Sequence, residues 1–331
     1  MQSISPSGEL AEKGGGPEEA RFQERFLPWW HTSLECLVAA QKLFRRFDDD
    51  DLTCIYLTAW RFALEQIESR QPPPPGSRIV EFLANFDSKE IAGENLAHFA
   101  EVTGVPRETV RRKLEMAISL ALVERVEAAG FRLRTLSTDI LPMFENCLGL
   151  SRVLLGCLGR GEIGDGADLS ATAWISMMRA YLDLLLSFWA VRRRSTRVSS
   201  AISVQSVVEL LTVLKSYRRL AADGTLLRTD LATFLSVTPK VRQTPYFVSQ
   251  IASMSGLNVA RVRRMCRNLE AQGRLEFIGH DEVRPLPQLT QVSADFQEAY
   301  FSEEMLLAGR RFVSVALGCF ATAELVGSKH A

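Results

Sequence analysis

The chain has 331 residues, is 47% hydrophobic, and balances 39 Lys and Arg against 39 Asp and Glu. That length is enough for two ordinary domains, and zero net charge excludes a chain held to polyanions by bulk charge alone. Six cysteines without a CxxC pair, and four histidines with no partner at ligand or dyad spacing, argue against a disulfide scaffold, a zinc site and acid–base catalysis.

Residues 1–21 lack apolar periodicity and read as a disordered tail. Their polar, Gly-rich start carries no secretory signal, so a cytoplasmic setting is expected. In that setting Cys36, Cys54, Cys147, Cys157, Cys266 and Cys319 read as small buried hydrophobes, with a redox-sensing thiol as the rival reading. From Phe22 to Phe47 an amphipathic helix carries Trp29, Trp30, Leu34, Leu37 and Leu43. Asp48 to Asp51 lack the Gly and distal Glu of a calcium loop and are expected to cap a helix opening at Leu52. That helix, with Ile55, Leu57, Trp60, Leu64 and Ile67, stops before the stiff linker Pro72 to Gly76.

A helix from Ser77 to about Asn85 leads into a compound motif. Leu96, Phe99, Ala100 and Val102 line a helix, Gly104 suits a tight turn, and Val105 plugs the angle behind it. A second helix follows with Val110, Leu114, Ala117 and Ile118 inward. Arg107, Thr109, Arg111, Arg112 and Lys113 are its candidate contact residues, and Pro106 and Glu108 suit its start. Leu122 to Val126 and Phe131 to Arg134 read as a β-hairpin joined through Ala128, Ala129 and Gly130. The two-helix motif covers about 92–119 and the hairpin about 122–135. A long apolar helix from Ser137 to Leu158 closes the first half, 22–158, and the Gly-rich stretch 159–170 is the boundary.

The second half, 171–331, follows the same plan. It opens with a helix carrying Trp174, Tyr181, Leu184, Leu185 and Trp189. Arg192, Arg193, Arg194 and Arg197 then form either an accessory phosphate contact or a solvated helix end. Helices over Ser206 to Tyr217 and Thr229 to Leu235 lead to the stripe Val248, Ile251, Ala252 and Met254, then Gly256 and Leu257. The next helix buries Val262, Met265 and Leu269, turns Arg261, Arg263, Arg264 and Arg267 outward, and stops at Gly273. Leu275, Phe277 and Ile278, a turn at Gly279, His280 and Asp281, and a return from Val283 make the second hairpin. Here the two-helix motif covers about 246–272 and the hairpin about 274–286. Ser293 to about Leu325 forms a last helix, whose apolar run Phe312 to Ala323 is too short to span a bilayer.

The halves align without a gap when the sequence is slid along itself by 152 positions. Ala100 meets Ala252, Gly104 meets Gly256, Val110 meets Val262, Arg111 and Arg112 meet Arg263 and Arg264, and Arg132 meets Arg284. Phe82 and Leu83 also meet Phe234 and Leu235, and Phe144 meets Phe296. A repeat of that length is domain-sized, so the chain reads as two fused copies of one domain.

Each copy resembles the winged helix-turn-helix of bacterial transcriptional regulators, closest in layout to MarR-type regulators, although the hairpins lack the Asp-x-Arg run typical of those wings. The resemblance implies a mainly α fold with small β-wings and flanking helices that interlock around a two-fold axis, here within one chain as a monomeric pseudo-dimer. It also implies double-stranded DNA as partner, with recognition helices in two successive major grooves. Arg111, Arg112, Arg263 and Arg264 lead the contact candidates, to guanine or to phosphate. Arg132 and Arg284, one on each return strand, would reach backbone or minor groove. Tandem winged helices also occur in replication or segregation proteins and as protein-interaction modules. No phosphate loop or nucleophile elbow is present, so neither an enzyme nor a cofactor is expected, and no residue pattern specifies a small-molecule effector.

Overall fold

The computed structural model describes residues 49–126, 130–134, 145–152, 169–196, 204, 207–208, 211–212, 245–286 and 303–327. Among these the chain is mainly helical, with two small antiparallel sheets. The expected helix over 22–47, the 127–129 turn, the boundary residues 159–168, the 229–235 helix and the start of the last helix lie outside the described residues.

Helix α1, Asp50–Arg70, is the buried axis of the first half. Leu52, Ile55, Leu57, Trp60 and Leu64 have no exposed surface, and burial continues round the helix as expected for one covered on all sides. It begins two residues earlier than the sequence suggests. The Asp49 carboxylate accepts from Leu52 N at 2.9 Å, while Asp50 and Asp51 occupy the positive first turn. The buried hydroxyls of Thr53 and Thr58 donate to Asp49 O and Cys54 O, which removes the penalty of burying them. After the proline linker comes α2, Ile79–Asn85.

The compound motif follows as α3, Leu96–Thr103, and α4, Arg107–Ser119. Gly104 between them takes φ 63°, the left-handed conformation its glycine permits. Strands β1, Val123–Val126, and β2, Gly130–Leu133, pair with Glu124 opposite Arg132, and Glu94 bridges Phe131 on the far side of β2. In the second half, β3, Tyr246–Phe247, runs into α6, Val248–Ser255, and α7, Val259–Ala271. Between them Gly256 takes φ 71°. Strands β4, Leu275–Phe277, and β5, Glu282–Pro285, complete a sheet of order β3-β5-β4 with Glu276 opposite Arg284.

The two motifs coincide at the 152-residue offset down to single hydrogen bonds. Val105 N donates to Thr103 Oγ1, as Leu257 N does to Ser255 Oγ. Leu122 N reaches Ala117 O as Arg274 N reaches Leu269 O, and the Glu94–Phe131 bridge matches the Tyr246–Val283 pair. Val204, Val207, Val208, Leu211 and Thr212, all helical and buried, stand where α1 has Leu52, Ile55, Tyr56, Ala59 and Trp60. The buried Tyr246 hydroxyl meets Thr212 Oγ1 at 3.1 Å and joins the second sheet to that helix.

Two long helices complete the core: α5, Ala171–Thr196, and α8, Glu303–Gly327. Helix α5 packs between α1 and α8, and also meets α2 and α3. Its carboxylates and cations are paired across these contacts, Asp183 with Arg61 at 2.9 Å and Arg179 with Glu68 at 2.9 Å. Tyr181 lies against Phe312, and Cys147, from the helical segment 145–152, points its thiol at Met177 O. Helices α5 and α8 and the segment 145–152 thus pack together, and the helix expected over 22–47 lies outside the described residues. Arg192, Arg193 and Arg194 fall in the last turns of α5.

Candidate nucleic-acid interface

The outer faces of α4 and α7 carry the candidate contacts. Each is amphipathic, so its inner stripe fixes which side chains face out. On α7 the stripe is Val262, Met265, Cys266 and Leu269, and on α4 it is Val110, Leu114 and Ala117. Asn258 caps α7 by accepting from Ala260 N at 2.8 Å.

Arg107, Arg111, Arg112, Arg264 and Arg267 are exposed, while Thr109, Arg261 and Arg263 are half-buried. Burial, and secondarily the Arg264 guanidinium, lowers the pKa of Arg261. Arg112 and Arg264, which share one position in the repeat, form no hydrogen bond or ion pair among the described residues. Their neighbours are engaged. Arg111 donates from Nε and Nη2 to the Glu108 carboxylate one turn earlier, and Arg263 donates from the same two nitrogens to Asp281 in the hairpin turn. These bonds lower the pKa of both carboxyls, with Arg111 the first cause at Glu108 and Arg263 the first cause at Asp281. Arg267 pairs with Glu270 at 2.7 Å and lies over the Phe277 ring, 3.7 Å from its centre. Glu270 also accepts from Phe277 N, which ties α7 to its hairpin.

Lys113 and Arg132 are placed differently from expectation, and Arg284, on its return strand as expected, is paired. Lys113 does not face outward: its side chain is 15% exposed and pairs with Asp49, the cap of α1. Arg132 is drawn inward, with Nε on Glu124 at 2.6 Å and Nη1 on the carbonyls of Lys89 and Ile91 at 2.7 and 3.2 Å. Arg284 makes the matching pair with Glu276. Because Glu124 and Glu276 stand directly across the ladder from them, these arginines brace the hairpins. The sequence places Glu108 at a helix start and Phe277 and Asp281 in a hairpin without pairing them, or Glu270, with these arginines; the i,i+3 spacing of Glu108 and Arg111 is a readable signal of a pair.

Other chemistry is sparse. His98 lies against the Phe62 ring with Nδ1 3.2 Å from Glu94, and His280 is exposed at the hairpin tip. Cys54, Cys147 and Cys266 are buried, and Cys319 is half-buried. Burial pushes the Cys266 thiol up to about 12 and the Cys319 thiol up to about 11. Among the described residues no group of three His, Cys, Asp or Glu side chains is placed to hold a metal ion, and no helix is long and apolar enough to cross a membrane. No protein-family model, curated protein or solved structure matches the chain.

Proposed function

We propose that the chain is a site-specific double-stranded DNA-binding protein that regulates transcription, built as two winged helix-turn-helix domains fused in tandem. On this reading α4 and α7 are the recognition helices and the hairpins are the wings. The α5–α8 layer with segment 145–152 is the counterpart of a dimer interface, so a single chain does the work of a two-fold dimer. The observation that carries the reading is the pair Arg112 and Arg264. At one repeat position, on the exposed face of the second helix of each motif, stands a guanidinium with no hydrogen bond or ion pair among the described residues. Five donors in a fixed fork suit phosphate oxygens and guanine edges. A protein whose second helices served other proteins would not need an exposed arginine at that position twice.

Footprinting of the whole chain on genomic DNA tests this. The expected result is protection of paired, non-identical half-sites about one DNA turn apart, upstream of transcription starts. Protection confined to a replication origin would move the protein to the replication class, and no protection anywhere would overturn DNA binding. One observation favours a protein contact for the first motif: Met116 on the last turn of α4 and Leu120, its C-cap, are exposed, and α4 carries Glu108 and Glu115 among its basic residues. In that case substitution of Arg111 and Arg112 would leave the footprint intact.

A further inference from the structure

Arg111 and Arg263 occupy the same repeat position, and the same edge of each guanidinium is held by a carboxylate of different origin. On α4 the holder is Glu108, one turn back on the same helix, with Nε–O distances of 3.2 and 3.0 Å and Nη2–O of 2.6 Å. On α7 the holder is Asp281, 18 residues further along the chain, with Nε–Oδ1 of 3.1 Å and a second bond from Nη2. Asp281 is itself fixed, because its backbone carbonyl accepts from Val248 N at the start of α6 at 2.8 Å. The residue standing at the Asp281 position in the first motif is Ala129, so that motif has no wing carboxylate there. The two halves thus reach one side-chain arrangement by two routes.

Exposed ion pairs add little to folding stability, so stability does not account for the recurrence. What such a pair fixes is direction. A guanidinium has two edges with paired donors, and a carboxylate on the Nε–Nη2 edge leaves Nη1 and the second Nη2 hydrogen facing away from it. That remaining edge matches the O6 and N7 acceptors of guanine in the major groove. A side chain already held in place loses less rotamer freedom on binding than a free one. Arg112 and Arg264, with no carboxylate holding them among the described residues, are suited to phosphate, which tolerates a range of approach directions.

Resting on the DNA-binding reading above, we infer that Glu108 and Asp281 are positioning residues that hold Arg111 and Arg263 to read one guanine in each half-site, while Arg112 and Arg264 contact phosphate. The recognised chemistry is a guanine Hoogsteen edge in duplex DNA.

The test uses the whole chain and a duplex recovered by its own binding from a randomised pool, with 7-deazaguanine placed singly at each guanine to delete the N7 acceptor. For the native chain one position per half-site should weaken binding about tenfold when so modified. Asp281→Ala should abolish that penalty in one half-site only and Glu108→Ala in the other. Neither should change the salt slope or the thermal midpoint. Asp281→Glu should restore part of the discrimination, which a merely structural role would not require. If Asp281→Ala and Glu108→Ala discriminate as sharply as the native chain, the positioning role is wrong while DNA binding stands. If no duplex is retained from the pool, DNA binding falls and the guanine assignment falls with it.

Discussion

Lys113 separates two accounts of α4, because it is either a DNA contact or a strut. Its ammonium pairs with Asp49, and the two side chains are only 15% and 23% exposed. Its repeat counterpart, Met265, is 3% exposed in the core of the second motif. Lys113→Met therefore replaces a strut with the residue that already fills the equivalent space. The change removes a charge-assisted hydrogen bond, a loss of about 2 kcal/mol, and returns roughly 1 kcal/mol through added apolar burial. Asp49 keeps its bond to Leu52 N, so the cap of α1 survives. The net expectation is a loss of about 1 kcal/mol, or a thermal midpoint lower by roughly 2–4 °C. Lys113→Ala loses the packing as well and should cost about 2 kcal/mol. Urea denaturation followed by far-UV circular dichroism measures both, and a cycle with Asp49→Ala isolates the pair itself. DNA affinity measured across salt concentrations should keep its slope in Lys113→Met. A slope reduced by about one with stability unchanged would place Lys113 on a phosphate and refute the inward register of α4.

Other outcomes follow from particular residues. Ala121 holds φ 57° where its counterpart Gly273 holds 68°, so Ala121→Gly should stabilise the chain by about 1 kcal/mol and Gly273→Ala should destabilise it by a similar amount in urea melts. No atom lies within 4 Å of a Cβ built at Gly273, so strain alone sets that cost. Cys54, Cys147 and Cys266 should resist iodoacetamide at pH near 8 until the chain is unfolded, as peptide mass spectrometry would show. The raised pKa of Cys266 works in the same direction as its burial, because the thiolate is the reactive form. Labelling of all three in native protein would contradict their burial. Light scattering should give the mass of one chain, free and DNA-bound; an obligate dimer of full chains would remove the single-chain pseudo-dimer.

The motif was legible because its punctuation is chemical. Gly104 and Gly256 mark turns that need positive φ, and the apolar spacing around Val110 and Val262 sets the helical faces. The same spacing also held the correction. Positions 110, 113, 114 and 117 form one i, i+3, i+4, i+7 stripe, which puts Lys113 inward despite its charge. The partners of Arg132 and Arg284 followed from hairpin register, since Glu124 and Glu276 lie directly opposite. Strand β3 was not legible, because two residues carry no period and its pairing with β5 joins chain segments more than thirty residues apart. The Asp281–Arg263 contact was hidden for the same reason: it depends on how the hairpin folds back over α7, and no local spacing encodes it.

The most direct test of the central claim is the salt dependence of binding to the recovered duplex, native chain against Arg112→Ala with Arg264→Ala. Each lost phosphate contact lowers the slope of log affinity against log salt by about 0.9. The double substitution should therefore lower it by about two units, weaken binding at low salt, and leave guanine preference intact. A slope and affinity equal to those of the native chain would show that neither Arg112 nor Arg264 touches DNA, and the observation that carries the DNA-binding reading would fall.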